Sequence, residues 1–307
     1  MPVQYLVAPE EGHGFRKENN SLAVAAKMER FFADHLGGRY QTSASNPVQQ
    51  RLDALTVDPD SVTLPKESEE MAAEEAKAAE KALSMIDASG IEPATMNYDV
   101  TLKAGGREID LSSTRTLSKV TTDGSTMWAF VDRTETPQAT VVDSLLMHGS
   151  SLRPMERHVS GPMTMTVSYS DTAATGEIQV RGQSTSISQR FKQPTLAGGT
   201  NVHLALAAMP LAPGFSTTLR AFNGQQQKVQ TLSFEVTGTE TVQTPSGSFD
   251  TYVVTMESSD GSSSGTMHLR TTAPHHIVQA EMEQSGPRGS QTFVYTLTSM
   301  DAGTTGP

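Results

Sequence analysis

Residues 163–170 read MTMTVSYS, in which Met163, Met165, Val167 and Tyr169 alternate with Thr and Ser. A period of two places the four larger side chains on one face of an extended strand and the hydroxyl side chains on the other. A strand with one apolar and one polar face is typical of an antiparallel sheet that packs one side on a core. The stretch therefore predicts a β-strand with a single buried face.

Stretches of similar character recur from residue 94 to Met300, including FDTYVVTME at 249–257 and TFVYTLTSM at 292–300. Glycine-containing stretches such as TPSGSF and SSDGSSSG separate them, as do turns between antiparallel strands. We count about a dozen candidate strands, and evenly spaced short strands favour a barrel or a sandwich. The fold class is therefore predicted to be mainly β. We expect an antiparallel β-barrel with one inserted helix at TNVHLALAAMPL, residues 200–211.

Composition limits the classes of partner. The chain has 307 residues, a net charge of −11 and no cysteine. An acidic chain without clustered Lys and Arg disfavours nucleic acid, and the lack of cysteine excludes disulfides, thiolate metal sites and a Cys nucleophile. No apolar run reaches the roughly 20 residues that span a bilayer. We expect a small-molecule ligand or substrate, no nucleic acid and no membrane span; the sequence indicates no oligomeric state.

The front of the chain has a different character. Residues 1–38 predict a strand at VQYLV, a loop, and a helix with Ser21 as its N-cap that ends at Gly37. The predicted apolar face of that helix comprises Leu22, Ala25, Met28, Phe32 and Leu36.

Residues 39–93 are predicted to be a tail followed by an Ala- and Glu-rich linker helix, for which a spacer is favoured over a lid. The domain boundaries that follow are 1–38 for the front region, 94–300 for the barrel and 301–307 for a disordered tail. We expect the barrel to fold without residues 1–66.

The motif EGHGF at 11–15 follows an apolar strand and precedes a helix ending in HLGGR. Over residues 1–66 this pattern resembles the C-terminal end of the prolyl oligopeptidase family of α/β-hydrolases. The resemblance implies that His13 is the general base of a Ser-Asp-His triad. The family's other two triad members precede the His, yet only twelve residues precede His13. We therefore expect a truncated remnant with a vestigial His13.

One further stretch imitates a serine hydrolase. GSSSG at 261–265 fits the pattern of a nucleophile elbow with Ser263 in the serine position, but an elbow needs a strand, a sharp turn and a helix. Strand-like residues lie on both sides here, so the stretch predicts a hairpin loop. We expect no serine hydrolase activity.

The β region contains GTETVQTPSGSFDTYVVTME at 238–257, GTMHLRTTAPHHIVQAEME at 265–283 and a last strand at 291–300. Together these resemble a lipocalin-like bacterial domain of unknown function found in cell-envelope proteins. The resemblance implies a fold rather than a chemistry. Because MPVQYLV has no basic segment typical of a signal peptide, we expect a cytoplasmic location as expressed, with a parent protein that is bacterial and periplasmic or exported.

Histidines offer one route to chemistry. In MHLRTTAPHHIV, a turn over residues 271–275 would bring His268 and either His275 or His276 to one face. His203 on the inserted helix and His148 are further candidates for a Zn²⁺ or Mn²⁺ site. Metal-bound water could then hydrolyse esters or phosphoesters such as phosphotriesters. No established metal spacing is present, so surface or hydrogen-bonded histidines are the alternative interpretation.

Two carboxylates complete the predicted metal chemistry, because Glu281 or Asp143 would act as a ligand or general base. Apolar residues offer a second route. Trp128 and Phe130 share a strand face and, with Met163 and Met165, predict either core or the wall of a permissive pocket.

Three functions stay open at this level. The first is a lipocalin-like barrel that binds an apolar or amphipathic small molecule and is accessory to a hydrolase. The second is a metal-dependent hydrolase in the same barrel. The third is an inert fragment of a serine hydrolase.

Overall fold

The computed structural model describes residues 5–8, 17–58, 69–122, 124–286 and 289–302. The chain divides into two compact units, Met1–Glu69 and Glu70–Pro307. The motif EGHGF, and with it His13, lies outside the described residues.

The first unit pairs two helices and two short strands. Strand β1 (Tyr5–Leu6) runs antiparallel to β2 (Thr56–Val57), and the helices are α1 (Glu18–Leu36) and α2 (Asn46–Leu55). Nε of Arg51 on α2 donates a hydrogen bond of 2.5 Å to Oδ1 of Asn20 on α1. This bond satisfies a polar side chain that is almost fully buried.

Three expectations for this unit need correction. Ser21 lies inside α1, whose N-cap is Lys17, although Gly37 ends the helix at φ 76° as expected. An acidic residue, Glu18, occupies the first turn, where it complements the helix dipole. Residues 46–55, expected to be part of a tail, form α2 because Pro47 suits a helix start. All five members of the predicted apolar face are exposed: Leu22, Ala25, Met28, Phe32 and Leu36.

The second unit is built on one sheet that contains fifteen strands among the described residues. Their order is β10-β9-β8-β7-β6-β5-β4-β3-β17-β16-β15-β14-β13-β12-β11, and every neighbouring pair is antiparallel except β11 with β12. The bounds are β3 (Ala94–Ala104), β4 (Arg107–Thr122), β5 (Ser125–Glu135), β6 (Thr140–His148), β7 (Pro154–Ser160), β8 (Met163–Tyr169), β9 (Ala173–Val180), β10 (Gln183–Arg190), β11 (Leu196–Ala197), β12 (Ser216–Asn223), β13 (Lys228–Thr244), β14 (Gly247–Ser258), β15 (Ser263–Arg270), β16 (Ile277–Gly286) and β17 (Gly289–Ala302).

The prediction of a mainly β fold is confirmed, but the sheet is not closed into a barrel. The end strands β10 and β11 do not pair with each other. The sheet instead curves around a core to which strands from both halves contribute, and β11 lies beside β7. We call the concave side that holds this core the inner face and the opposite side the outer face. Strands β8–β10 extend past the curve and form a smaller core with Phe191 and Phe222.

Local sequence explains the strands and hairpins. In β8, Met165 and Val167 are buried while Thr164, Thr166 and Ser168 are exposed, as the alternation predicts. Arg181 and Gly182, both at positive φ, join β9 to β10 in a two-residue hairpin turn. Such a backbone matches the right-handed twist of the flanking strands. The stretch around Ser263 is also a hairpin, between β14 and β15, and not a nucleophile elbow.

The inserted helix α4 (Thr200–Ala207) confirms the prediction for residues 200–211. Most of its side chains are buried because both its faces are apolar. The buried Asn201 fixes its start: the side-chain oxygen accepts from Ala197 N–H at 2.9 Å, and the side-chain nitrogen donates to the Leu152 carbonyl at 2.9 Å. The helix is therefore held to β11 and to the loop after β6.

Helix α3 (Glu69–Ser84) differs from the expected free spacer. Ala82 and the following Ile86 are buried and belong to the main core of the sheet. The Asp87 N–H also donates to the Ala208 carbonyl at 2.8 Å. The end of this helix and the residues after it are thus part of the second unit, which begins at Glu70 rather than at residue 94.

Candidate functional site

An apolar row crosses five strands on the inner face. Register places Phe234 of β13 opposite Met256 of β14, then Gly265 of β15, Met282 of β16 and Phe293 of β17. Position 265 requires glycine, because a Cβ there would lie 2.4 Å from the Glu281 carbonyl oxygen and 2.7 Å from Met282 Sδ. The row therefore offers flexible thioethers and two aromatic rings across a gap that glycine keeps open.

A charged row lies on the inner face of four other strands. Arg115 of β4 is opposite Asp132 of β5, which is in turn opposite Asp143 of β6, and Arg157 of β7 lies diagonally beyond. Arg115 Nε donates to Asp132 Oδ2 at 3.0 Å. Arg157 donates through Nε and Nη2 to the two oxygens of Asp143 at 2.9 and 2.6 Å. Each carboxylate thus has its own arginine.

Arg115 is held between two aromatic rings. Its guanidinium carbon lies 4.8 Å from the ring centroid of Tyr98 and 4.9 Å from that of Tyr295. The side chain is only 8% exposed, so the ring faces and Asp132 replace most of its water. Burial lowers the pKa of Arg115, but Asp132 and the two tyrosines together hold it above its ordinary value. Burial raises the pKa of Tyr98 to about 12, so this phenol stays protonated.

All members of the two rows except Asp143 and Gly265 line one cavity of about 590 Å³. Three alternate residues of β17 mark successive layers of the cavity. Tyr295 adjoins Arg115, Phe293 belongs to the apolar row, and Gln291 lies nearest the β16–β17 turn. Amide and hydroxyl side chains surround that outer end. They are Asn223, Gln225, Gln226, Gln230, Ser262, Ser263, Gln284, Ser285 and Gln291. A charged floor, an apolar middle and a polar mouth are the layers that an amphipathic molecule requires.

The start of α4 closes the floor. Gly199, Thr200 and His203 line the cavity beside Arg115 and Arg157. His203 Nδ1 is shielded from solvent and has no hydrogen-bond partner among the described residues. Burial, and then Arg115, lower the pKa of His203 to about 4, while Asp132 acts in the opposite direction. His203 is therefore neutral at pH 7.

Two of the predicted metal ligands meet at the floor. His203 and His276 line a small cavity of about 20 Å³ that also touches Tyr98 and Arg115. Burial, then Arg270 and His275, lower the pKa of His276 to about 4. His275 makes a 2.8 Å hydrogen bond from its ring Nδ1 to the Arg270 carbonyl.

The other predicted ligands lie apart. His268 is on the outer face, where Nδ1 is 3.5 Å from Thr251 Oγ1 and 3.9 Å from a Glu240 oxygen. The expectation that it shares a face with His276 is wrong, because His268 pairs with Gln279 on the outer face whereas His276 lines the small cavity beneath α4. His148 is exposed at the end of β6. Across the described ranges, no three His, Asp or Glu side chains are grouped to hold a metal ion.

The predicted catalytic carboxylates lie on opposite faces. Glu281 is exposed on the outer face and lines a groove there with His268. Asp143 lies on the inner face and is bound by Arg157. Because the sequence predicts either Glu281 or Asp143 in this role, the structure separates the two alternatives: Asp143 is on the face that holds the core, and Glu281 is near His268.

The predicted apolar wall divides in a similar way. Met165 lines the large cavity and Phe130 the small one. Trp128 is 1% exposed within the core, where its Nε1 donates to the Gly149 carbonyl at 3.2 Å. Met163 packs at the margin of the smaller core.

Sequence reasoning missed the arginines and tyrosines of the floor. The alternation of side chains could have identified two of them. Arg115 lies two residues before Leu117 in β4, and Asp132 two residues after Phe130 in β5, so each charged residue shares the face of an apolar one. A charged residue at an inward position is rare unless it is paired or functional.

Among the helices that the structure describes, none has the length and apolar character needed to cross a membrane. No curated protein matches the chain. Nothing in these comparisons supports the resemblance of residues 1–66 to the prolyl oligopeptidase family, which stays a prediction.

Three solved structures illustrate the likeness to known folds. A β-barrel-like protein of the domain of unknown function DUF1849 from Brucella abortus has 12% identity and a TM-score of 0.45, with 70% of this chain and 99% of that chain covered. The hypothetical lipoprotein YmcC from Escherichia coli has 9% identity and a TM-score of 0.27, covering 78% and 97%. A LolA superfamily protein from Nitrosomonas europaea has 9% identity and a TM-score of 0.27, covering 74% and 94%.

The match to a family model identifies the chain more firmly than the likeness to these solved structures. A family model described as protein of unknown function (DUF3108) matches residues 95–292. This range contains α4, the charged row and all of the apolar row except Phe293, so the expected resemblance of the β region to a domain of unknown function is confirmed.

Proposed function

The chain belongs to the DUF3108 family of proteins of unknown function, and we propose that it binds an amphipathic small molecule in the cavity on the inner face of its sheet. The observation that carries the proposal is the layered cavity of about 590 Å³, with its charged floor, apolar row and polar mouth. Ligand cavities in proteins are about 300–1,000 Å³ and combine an apolar lining with a few placed polar groups.

The apolar row suits a flexible hydrocarbon. Met256 and Met282 are unbranched and polarizable, so they adapt to chains of different shape, and the rings of Phe234 and Phe293 stand at the two ends of the row. Burying an alkyl chain here contributes about 0.8 kcal/mol for each methylene removed from water. Micromolar affinity corresponds to about 8.2 kcal/mol, so roughly ten methylenes must be buried to reach it, and more once the cost of immobilising the ligand is deducted.

The metal-dependent hydrolase has no comparable support. Its predicted ligands lie on both faces of the sheet, and the described residues present no three-ligand group. The binding function is therefore the one that we develop further.

Filling the cavity tests the proposal. We expect N-phenyl-1-naphthylamine, a fluorescent apolar probe, to bind the full chain and accept energy from Trp128, the only tryptophan. Met282→Trp places a bulky ring in the apolar row and should weaken probe binding at least about tenfold, equivalent to about 1.4 kcal/mol.

Val180→Trp is the matched control, because Val180 is 44% exposed on β9, outside the cavity lining. It should leave the affinity for the probe unchanged. Unaltered probe affinity in Met282→Trp, measured on protein with the melting temperature of the control, would contradict binding in this cavity.

A further inference from the structure

We propose, building on the proposed function, that the ligand carries an anionic oxygen headgroup, a carboxylate or a phosphate, which Arg115 and His203 bind at the floor of the cavity. The hydrocarbon part then lies along the apolar row with its free end toward the polar mouth. This orientation follows because the carboxylate acceptors of the floor are already bonded, whereas hydrogen-bonding groups of Arg115 and His203 remain available for a headgroup.

The acceptors of the floor are already occupied. Asp132 Oδ1 accepts from Ser113 Oγ at 2.7 Å and from Thr134 Oγ1 at 3.3 Å, and its Oδ2 accepts from Arg115 Nε. Both oxygens of Asp143 accept from Arg157. A cationic headgroup would have to displace one of these buried bonds, which makes it a poor match for the floor.

Donors, in contrast, are left over. Arg157 uses all three guanidinium nitrogens, since Nη1 also donates to the Gly198 carbonyl at 3.0 Å. Arg115 uses Nε for Asp132 and also forms side-chain hydrogen bonds with Tyr98 and Tyr295, but within the described ranges neither of its Nη atoms is bonded to a carboxylate. An arginine that lines a cavity in this state is suited to a carboxylate or a phosphate, which it binds through charge-assisted hydrogen bonds.

His203 provides a second unused group. Its Nδ1 is buried without a partner, and leaving such a group unsatisfied costs about 1–3 kcal/mol. The ring lines the cavity together with Arg115, so a bound headgroup can satisfy both side chains. As a neutral imidazole, His203 adds no repulsion toward the Arg115 guanidinium in the unliganded chain.

The start of α4 adds a weaker contribution. Gly199 is its N-cap at φ 75°, and no side chain caps the first turn. Gly199 and Thr200 line the cavity, and Arg157 Nη2 would lie 3.8 Å from a Cβ at residue 199. The positive end of the helix dipole therefore faces the same floor and favours negative charge there.

Three probes of equal chain length separate headgroup from hydrocarbon. Dodecanoate, dodecyl phosphate and dodecan-1-ol would compete with N-phenyl-1-naphthylamine for the full chain at pH 7.5. We expect at least one of the two anions to bind at least about tenfold more tightly than the alcohol. Comparison of the two anions identifies which headgroup the floor prefers.

A double variant tests the role of Arg115 without leaving a buried charge. Arg115→Gln with Asp132→Asn keeps a neutral hydrogen-bonding pair, and it should remove the preference for anions while dodecan-1-ol still binds. The control Arg133→Gln changes an exposed arginine on the neighbouring strand and should keep the preference.

A measurement on the unaltered chain covers the case in which the double variant does not fold. Bound dodecanoate labelled with ¹³C at the carboxyl should show a carboxyl pKa below that of the same molecule in a soluble, monomeric reference, because Arg115 favours the ionised form. A raised pKa, or equal affinities of the alcohol and both anions, would overturn the headgroup inference. Failure of all three amphiphiles and of the probe to bind would instead overturn the proposed function.

Discussion

Asp132 and Asp143 lie directly opposite each other on β5 and β6, with both side chains on the inner face of the sheet. Like charges at such positions repel across a short distance. The arrangement is stable because Arg115 binds Asp132 from β4, while Arg157 binds Asp143 from β7. The two ion pairs therefore join four consecutive strands of the sheet and form the floor of the cavity.

Removal of one carboxylate should expose the cost of a buried unpaired arginine. Asp132→Ala leaves Arg115 without its partner, so we expect the free energy of unfolding to fall by about 3–5 kcal/mol. Urea denaturation followed by Trp128 fluorescence measures this change. The control Asp171→Ala breaks the solvent-exposed pair with Arg153 and should cost less than about 1 kcal/mol. Equal losses in the two variants would show that the inner pair is not stabilising as described.

Acid should destabilise the fold through two histidines. His203 and His276 have a folded-state pKa of about 4, below the ordinary value of 6.5. The unfolded chain therefore binds more protons between pH 6.5 and 4, and stability falls as the pH drops through that window. Each group contributes up to about 3 kcal/mol to the loss.

Single substitutions assign this loss to its source. His203→Gln and His276→Gln should each flatten the decline of melting temperature between pH 6.5 and 4, whereas His148→Gln at an exposed position should not. A decline of unchanged steepness in both buried-site variants would mean that other groups cause the acid sensitivity.

The position of the domain boundary can be tested by truncation. A chain starting at Glu70 retains Ala82, Ile86 and Ile91, which are all buried in the main core. It should melt cooperatively by calorimetry. A chain starting at Glu92 lacks these residues and should melt at a lower temperature, since a fully buried isoleucine contributes about 1.5–3 kcal/mol. Identical melting of the two truncated chains would place the boundary near residue 94 after all.

Gly265 should resist substitution. A Cβ at this position would meet the Glu281 carbonyl oxygen at 2.4 Å, so Gly265→Ala requires the neighbouring strand to move and should lower the free energy of unfolding by about 1–3 kcal/mol. Gly238→Ala is the control, because no atom lies within 4 Å of a Cβ there and its φ is not positive. Chemical denaturation measures the free energy of unfolding of both variants. If Gly265→Ala leaves this free energy unchanged, β15 and β16 are more loosely paired than described.

The chain should not react with a fluorophosphonate probe. Ser263 lies in a hairpin between β14 and β15 rather than at the strand-to-helix elbow that activates a serine. Mass spectrometry after incubation should find unmodified protein. Stoichiometric labelling that disappears in Ser263→Ala would restore the serine hydrolase interpretation.

Much of the fold could be predicted from local patterns. The alternation in residues 163–170 predicted β8 and the burial of Met165 and Val167, and the glycine-containing turns predicted the hairpins. The apolar run at 200–211 predicted α4. These features depend on side-chain periodicity and turn geometry, which neighbouring residues in the sequence determine.

The cavity floor depended on the tertiary structure. Arg115, Asp132, Asp143 and Arg157 come from four strands, and only the pairing of those strands brings them together. Alternation along one strand can mark a charged residue as inward, but it does not show which charged residue of another strand will be its partner. The positions of the predicted metal ligands likewise depended on the fold, since His268 pairs with Gln279 on the outer face whereas His276 lines the small cavity beneath α4. The sequence by itself thus determined the strands and their faces, whereas strand register and curvature decided which side chains share a site, because long-range pairing is not encoded in any single stretch of the chain.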